Sequence, residues 1–350
     1  MKKVLHVLSS NCYSGAENVV ISIIKNYSNY KGIYLSPKGE IESFCEEEGI
    51  QHVHVEKMNL ENLRRVIKNI NPDIIHAHDF KASLLCAILK KKHIPLISHL
   101  HNNPPWIKKI NLKSVVYLMS LKRYNKILMV SEAIKKEFVF NNMFGTKGIV
   151  VGNPIDVSAI LRKEKYANLF DRTDIMFLGR ITEQKNPLLF LDIVKEIVKY
   201  HPKIKVGIVG NGDLFDKLSK RIIENGLENN VRLYGFQRNP YGMLKNTKIL
   251  CLPSKWEGFG LVAIEALSFG KPVICSSVGG LLKVVNDSCG AICNKKEEYI
   301  YEIKNLLENE RIYNLKSQNA YKRAEYLSNI LEYISNLENV YEQINKNYKL

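Results

Sequence analysis

At 350 residues the chain is too long for one ordinary domain and long enough for two. Its 45% hydrophobic and 25% charged residues are typical of a globular protein and exclude a disordered one. No run reaches the roughly 18 consecutive apolar residues of a membrane-spanning helix, which excludes such a span. The seven cysteines are scattered among apolar neighbours, which indicates reduced thiols and a cytoplasmic chain.

The first half of the chain alternates short apolar strands with helical stretches. The pattern predicts strands at 4–8, 74–77, 96–100, 127–130 and 149–151, and helices at 16–27 and 81–91. The apolar rhythm then breaks across the charged stretch near residues 157–173. It restarts with strands at 175–178, 206–209, 231–233, 249–252 and 273–275 and a helix at 188–200, and a polar helical segment follows at 299–349.

Strands separated by helices of ten or more residues indicate right-handed crossovers and parallel sheets. Two such runs predict an α/β protein with two doubly wound, Rossmann-like domains, at residues 1–160 and 161–325. We expect the last segment, 326–350, to pack back on the first domain as a helix. Ligands of such sheets bind at the carboxyl ends of the strands, so the chemistry should lie in the residues that follow each strand.

The net charge of +16 is unevenly distributed. Residues 81–150 contain 13 Lys and Arg against two Glu, a net charge of +11, which favours an anionic partner. Lysines alternate with apolar residues from Trp106 to Lys126, as in a basic amphipathic helix that lies on an anionic membrane. The alternatives are a solvated lysine-rich surface and an apolar face that is buried in the first domain. The stretch has few aromatic residues at stacking positions and no nucleic-acid motif, so we expect no nucleic-acid partner.

Three loops that follow predicted strands contain residues suited to a nucleotide diphosphate. Ser14 and Gly15 precede the first helix, where a glycine lets backbone amides approach a phosphate; a plain tight turn explains them equally well. Arg180 offers a bidentate fork and Lys185 a compact positive charge for a leaving diphosphate. Taken alone, that second loop could be an ordinary basic loop.

The third loop is the most informative because it places two carboxylates eight positions apart. Glu257 precedes a glycine-containing helix start, and Glu265 lies inside the apolar run 261–267, an unusual place for a charge without a partner. A nucleotide sugar fits this arrangement, with its diphosphate at the helix start, sugar hydroxyls at Glu257 and ribose hydroxyls at Glu265. The alternative makes Glu257 a capping residue and Glu265 an exposed helix position.

This pair resembles the E-x7-E signature of glycosyltransferase family 4, the glycosyl transferases group 1, whose retaining members have the GT-B fold. Other segments resemble that family in matching order and spacing. In the first half, Ser14-Gly15-Ala16-Glu17 resembles its first glycine loop, Asp73-Ile74-Ile75-His76-Ala77-His78-Asp79 resembles its second strand edge, and His99-Leu100-His101-Asn102 resembles its histidine loop. In the second half, Gly179-Arg180 with Lys185 resembles its diphosphate-binding pair, and Val209-Gly210-Asn211-Gly212 and Tyr234-Gly235-Phe236 resemble its nucleoside loops. The resemblance covers nearly the whole chain. It departs from the family at Ser14, where many relatives have glycine, and at Lys283, where they usually have glutamate.

The resemblance implies two Rossmann-like domains facing across a cleft and a metal-independent, retaining transfer of a sugar from a UDP- or GDP-sugar. It implies a glycan or lipid-linked acceptor in surface polysaccharide biosynthesis, and a cytoplasmic enzyme with peripheral contact to the inner face of the plasma membrane. The implied catalytic residues are His101, Arg180, Lys185 and Glu257. The implied donor-binding residues are Ser14, Gly15, Arg180, Lys185, Gly210, Gly235, Phe236, Glu257, Gly258, Phe259, Gly260, Leu261 and Glu265.

Two histidine pairs, His76 with His78 and His99 with His101, have a spacing that a metal could use on a strand. No third ligand is tied to them by a motif, and no Asp-x-Asp occurs in the sequence, so we predict no metal and no cofactor besides the donor. Two other classes stay open: a different GT-B sugar-nucleotide enzyme such as an epimerase, and a non-enzymatic basic binding protein.

Overall fold

A computed structural model describes residues 1–165 and 171–346. The strands are β1 Lys2–Val7, β2 Tyr30–Pro37, β3 His52–Val55, β4 Ile74–Ala77, β5 Leu96–Leu100, β6 Lys126–Met129, β7 Gly148–Val150, β8 Thr173–Leu178, β9 Val206–Val209, β10 Val231–Gly235, β11 Thr247–Leu252, β12 Val273–Ser276 and β13 Gly290–Cys293. The α-helices are α1 Gly15–Lys25, α2 Ile41–Glu47, α3 Leu60–Ile70, α4 Phe80–Leu89, α5 Leu112–Ser120, α6 Glu132–Glu137, α7 Val157–Glu164, α8 Pro187–Tyr200, α9 Phe215–Glu224, α10 Tyr241–Lys245, α11 Leu261–Ser268, α12 Leu281–Val284, α13 Lys296–Glu308, α14 Glu310–Leu327 and α15 Ile330–Lys346. Within these ranges no helix is both long and apolar enough to cross a bilayer.

The first domain consists of residues 1–154 and the C-terminal segment from residue 329. Its seven parallel strands have the order β3-β2-β1-β4-β5-β6-β7. The order reverses between β1 and β4, which makes the carboxyl ends of these two strands the place where a doubly wound sheet binds ligands. Helix α15 is anchored to this domain by Glu338, whose carboxylate accepts hydrogen bonds from the backbone amides of Ser28 (2.8 Å) and Asn29 (3.0 Å) just before β2.

The second domain, residues 155–328, contains six parallel strands in the order β10-β9-β8-β11-β12-β13. Here the order reverses between β8 and β11. The loops after these strands contain Arg180, Lys185 and Glu257. The topology therefore brings the two most informative loops of the sequence to one edge of one sheet.

The predicted α/β class with two doubly wound parallel sheets is confirmed, and every predicted strand corresponds to an observed one. Three strands were missed. In β2 apolar residues are mixed with Lys31, Gly32 and Pro37, and β3 has the sequence His-Val-His-Val at the edge of its sheet, so neither shows a continuous apolar run. The third, β13, is only four residues long and follows a turn.

The break in the apolar rhythm near residues 157–173 contains a helix. The Asp156 carboxylate accepts a hydrogen bond from the Ala159 amide (2.8 Å) and so caps α7, and the rest of the predicted break at 166–170 lies outside the described residues. The structure divides the chain at 154/155 and 328/329, a few residues from the expected boundaries at 160/161 and 325/326.

Candidate functional site

The loops after β8 and β11 meet through an ion pair. The Lys185 ammonium lies 2.5 Å from a carboxylate oxygen of Glu257, and both side chains are only 12% exposed. The Ser254 hydroxyl donates to the same carboxylate oxygen at 3.4 Å. Two residues that are 72 positions apart are thus fixed against each other, and each neutralises the charge of the other.

Arg180 is connected to the same pair of loops through Gln184. Its guanidinium donates to the Gln184 side-chain oxygen (3.1 Å), and the Gln184 amide donates to the Trp256 carbonyl (3.2 Å). Sequence reasoning missed Gln184, Ser254 and Trp256 as site residues. All three lie in or beside the loops that were predicted to bind the donor, but their residue types are too common in loops to indicate a function.

Glycines let the loops of this edge approach one another closely. A side chain at Gly210 would place its Cβ 1.9 Å from the Gly179 carbonyl oxygen, and the Gly210 amide donates to the Gly235 carbonyl at 2.8 Å. Gly279 has a φ of +55°, and a Cβ there would come 1.6 Å from the carbonyl oxygen of Glu257. Substitution at either position would displace backbone that supports the Lys185–Glu257 pair.

The segment from Glu257 to Leu261 leads into helix α11. Gly258 and Phe259 lie in the loop, Gly260 caps the helix with a φ of +98°, and Leu261 is its first residue. Free backbone amides at such a start are suited to an anionic ligand. Glu257 precedes the helix by four residues, so the two glutamates lie on a loop and a helix and not along one helix face.

Glu265 is a partly buried residue in the middle of α11, and burial raises the pKa of its carboxyl group to about 7. The Tyr241 hydroxyl donates to it at 3.4 Å, which partly offsets this effect. No feature of the sequence pointed to Tyr241. Phe236, which follows β10, is 41% exposed, as an aromatic ring available to a ligand would be.

The first domain contains the remaining predicted site residues. Ser14 occupies the N-cap position of α1, which begins at Gly15, but its hydroxyl donates to the buried carboxylate of Glu17 and makes no capping hydrogen bond to the helix backbone. Burial raises the pKa of Glu17. His101 follows β5, and its Nε2 lies 3.0 Å from Nδ1 of His78. Burial lowers the pKa of His101 to about 3, so it is neutral at physiological pH.

Histidines cluster around His101 on neighbouring strands. His6 of β1 and His76 of β4 are register partners, and the rings of His76 and His78 stack with centroids 4.1 Å apart. Among the described residues, two groups bring three ring nitrogens within 4.8 Å of one another, His6 with His76 and His78, and His78 with His99 and His101. A third group, Glu42 of α2 with His52 and His54 of β3, is partly exposed.

The basic stretch displays apolar side chains to solvent. Ile110, Leu112 and Met119 on and beside α5 are 71%, 80% and 74% exposed, and the neighbouring Lys109 and Lys113 are exposed as well. Burial of this apolar face in the domain core, one of the alternatives left open by the sequence, is therefore wrong for these three residues.

Comparisons with known proteins identify both domains. Residues 50–159 match the family described as "Glycosyltransferase Family 4", and residues 162–324 match "Glycosyl transferases group 1". An uncharacterized glycosyltransferase of Methanocaldococcus jannaschii is 29% identical over 60% of this chain and 57% of its own length. An Escherichia coli protein named UDP-Gal:alpha-D-GlcNAc-diphosphoundecaprenol alpha-1,3-galactosyltransferase is 26% identical over 81% of this chain and 78% of that protein.

The fold has close counterparts among solved structures. The crystal structure of HepE from Anabaena in complex with UDP and glucose superimposes with a TM-score of 0.85, covering 97% of this chain and 99% of that one at 20% identity. That likeness establishes the fold. Since the two family matches cover consecutive parts of a chain with this fold, the protein is a family 4-like glycosyltransferase of the GT-B fold.

Proposed function

We propose that the protein transfers a sugar from a UDP-sugar, with retention of configuration, to a glycan or lipid-linked acceptor in surface polysaccharide biosynthesis. The observation that carries the proposal is the Lys185–Glu257 pair at the carboxyl edge of the second sheet, beside the start of α11. The E. coli relative is named for a UDP-galactose donor and a diphosphoundecaprenol-linked acceptor, and HepE binds UDP and glucose, which supports this choice of substrates.

Arg180 and Lys185 bind the donor diphosphate in this proposal. Their positive charges stabilise the negative charge that develops on the leaving diphosphate, and the amides at Gly258 and Gly260 add hydrogen-bond donors. Lys185 is already held by Glu257, so a phosphate oxygen that approaches it meets a fixed ammonium group and not a mobile one. Because side chains supply this charge, we propose that transfer needs no divalent metal, and activity should survive EDTA.

The two glutamates bind opposite ends of the donor. Glu257 accepts hydrogen bonds from the sugar hydroxyls, and Glu265 accepts them from the ribose, whose uracil lies near Gly235 and Phe236. In the first domain, His101 contacts the reacting sugar, and Ser14 and Gly15 contact phosphate. The Glu257 carboxylate is held in its ion pair, which makes it a poor nucleophile. Retention is therefore proposed to follow front-face attack assisted by the leaving phosphate.

Binding of UDP and of GDP to the ligand-free protein tests the donor site. At about 100 times its Kd, a nucleotide should stabilise the protein by roughly 2.7 kcal/mol. We expect UDP to raise the melting temperature of the wild type and of Lys217→Ala, a control on the exposed face of α9, but not of Arg180→Ala or Glu265→Ala. If GDP alone raised the melting temperature, the donor would contain guanine and not the proposed uracil. If no nucleotide raised the melting temperature, the proposed donor site would be refuted.

We further propose that the enzyme works at the inner face of the plasma membrane. Ile110, Leu112 and Met119 form an exposed apolar surface with lysines around it, and the charge of this stretch is complementary to an anionic bilayer. Each lysine near such a surface contributes on the order of 1 kcal/mol. A lipid-linked acceptor would be met at that surface.

A further inference from the structure

Seven side chains of the first domain form one unbroken run of hydrogen bonds, which we name the histidine–tyrosine chain. In order it contains His101, His78, His6, Tyr27, Tyr341, His76 and His99. The successive distances between their ring nitrogens and hydroxyl oxygens are 3.0, 2.8, 2.8, 2.8, 2.7 and 3.2 Å. Five of the members are completely buried, and Tyr27 and His101 are partly buried.

All members of the chain are neutral at physiological pH. Burial lowers the pKa of His6 to about 3 and lowers the pKa of the other histidines in the chain as well. Burial likewise raises the pKa of Tyr27 and Tyr341 well above the ordinary value. Each imidazole therefore has one N–H group and one bare nitrogen, and each phenol has one O–H group.

Neutrality makes the hydrogens of the chain interdependent. Each of the five inner members makes two hydrogen bonds with a single hydrogen, so it donates in one and accepts in the other. All six bonds must then point in the same direction along the chain. Only two arrangements satisfy every bond, and they differ in whether the unused hydrogen lies on Nδ1 of His101 or on Nε2 of His99.

The two ends of the chain decide between these arrangements. Nε2 of His99 is buried and has no hydrogen-bond partner within residues 1–165 and 171–346. An N–H group there would be an orphaned buried donor, which is rarer in proteins than an under-used acceptor. His101 is only partly buried, so an N–H group at its Nδ1 can be satisfied by solvent or by substrate.

We propose that Tyr27 and Tyr341 are positioning residues that hold His101 in its Nδ1–H tautomer, so that it presents a hydrogen-bond donor to an oxygen of the sugar. The proposal rests on the proposed function for the identity of that oxygen, but the tautomer follows from the first domain alone. An isolated neutral histidine prefers the Nε2–H form, so the chain would enforce the less favourable one. The polarity of the chain is set through the whole run of bonds, because cutting it anywhere frees the part near His101 to reverse.

The C-terminal helix completes this arrangement. Tyr341 is the link between the half of the chain that ends at His101 and the half that ends at His99. Its helix is anchored by Glu338, which accepts hydrogen bonds from the backbone amides of Ser28 and Asn29 beside Tyr27. A segment more than 200 residues away in sequence would thus fix the hydrogen of a substrate-binding residue in the first domain.

Nitrogen-15 NMR of histidine-labelled protein tests the tautomer directly. Each of the nine histidines can be assigned by its substitution, and the two ring nitrogens have distinct shifts in the two tautomers. We expect His101 to be in the Nδ1–H form in the wild type and in Tyr333→Phe, and mixed or reversed in Tyr341→Phe and Tyr27→Phe. Tyr333 is a matched control, since it lies on the same helix and its buried hydroxyl has no partner in the described part of the chain.

Kinetics with the donor and acceptor add a readout that a merely structural role would not change. Misplacing a reacting group can cost on the order of 100-fold in rate. Because His101 would orient the sugar in only part of the molecules of Tyr341→Phe, we expect this variant to lose about tenfold in kcat with little change in donor KM. Asparagine at position 101 supplies an N–H group that needs no chain. In the His101→Asn background, Tyr341→Phe should therefore have no further effect on kcat.

The outcomes separate this inference from the proposed function. An Nε2–H tautomer of His101 in the wild type, or a stoichiometric zinc ion bound by His78, His99 and His101, would overturn the inference whatever the activity. An equal loss of kcat from Tyr341→Phe in the wild-type and His101→Asn backgrounds would also overturn it. An Nδ1–H tautomer in a protein that transfers no sugar would support the inference and refute the proposed function.

Discussion

Replacing Glu265 by glutamine should remove a pH-dependent cost from the stability of the second domain. The pKa of this carboxyl group is raised from 4.5 to about 7 by burial, so the folded chain binds its proton more tightly than the unfolded chain does. The stability that Glu265 contributes is therefore complete below pH 4.5 and is lost as the pH rises through about 7. A pKa difference of this size corresponds to about 3 kcal/mol.

Urea unfolding of the wild type and of Glu265→Gln between pH 5 and pH 8 measures this cost. We expect the variant to gain roughly 2–3 kcal/mol relative to the wild type across that range, because glutamine keeps the shape of the side chain and does not ionise. Glu228→Gln, which changes an exposed carboxylate of the same domain, should show no such gain. A constant difference between the wild type and Glu265→Gln at all pH values would refute the reasoning.

The same proton makes nucleotide binding depend on pH. The ionised form of Glu265 offers an acceptor oxygen to each ribose hydroxyl, whereas protonation turns one of these oxygens into a donor, so UDP binding should favour loss of the proton. With a pKa of about 7, the wild type should bind UDP roughly tenfold more tightly at pH 8 than at pH 6. Titration of UDP itself contributes equally to wild type and Glu265→Gln, so the difference between the two isolates the carboxyl group. Calorimetry in buffers of different ionisation enthalpy would count the released proton.

Three further predictions concern other parts of the molecule. Lys185→Met leaves the carboxylate of Glu257 buried without its cation and should lower the free energy of unfolding in urea by about 3 kcal/mol. Adding Glu257→Gln should restore most of the lost free energy. The five histidines of the histidine–tyrosine chain are neutral when folded, so the stability that they contribute is present above pH 6.5 and is lost as the pH falls. Unfolding should therefore take up protons between pH 5 and pH 6.5. A free energy of unfolding that does not change with pH in this range would contradict the prediction. Replacing Ile110, Leu112 and Met119 together by serine should reduce co-sedimentation with anionic vesicles several-fold and leave UDP binding unchanged, and equal co-sedimentation of the variant would refute membrane contact.

The alternation of strands and helices was readable from the sequence because parallel strands that are buried on both faces are short, continuous apolar runs. β4 and β5 are completely buried, and their predicted bounds match the observed ones. β3 could not be found in this way, since its sequence alternates histidine and valine at a sheet edge where burial is incomplete. Edge strands depend on the neighbour they pair with more than on their own composition.

For a related reason, only part of the candidate site could be predicted from the sequence. Residue type and spacing marked Lys185, Glu257 and Glu265, because charges in loops after strands and inside apolar runs are unusual. The sequence did not show that Lys185 and Glu257 pair with each other, since 72 residues separate them and contact is set by the strand order. It also gave no sign of Tyr341, whose role depends on a C-terminal helix that packs on the first domain.

Pairing or burial reduces the charge of three candidate binding groups, Lys185, Glu265 and His101. In the second domain the charge of Lys185 is offset by Glu257, and Glu265 remains partly protonated near neutral pH. In the first domain burial keeps His101 uncharged, and its hydrogen bond to His78 commits one ring nitrogen. In the second domain, a nucleotide sugar that binds Lys185 and Glu265 would therefore share the ion pair of Lys185 and favour loss of the Glu265 proton. Both steps favour a ligand that brings phosphate and vicinal hydroxyls together, because the phosphate supplies the negative charge for Lys185 and the ribose hydroxyls supply the hydrogen-bond donors that favour the ionised form of Glu265.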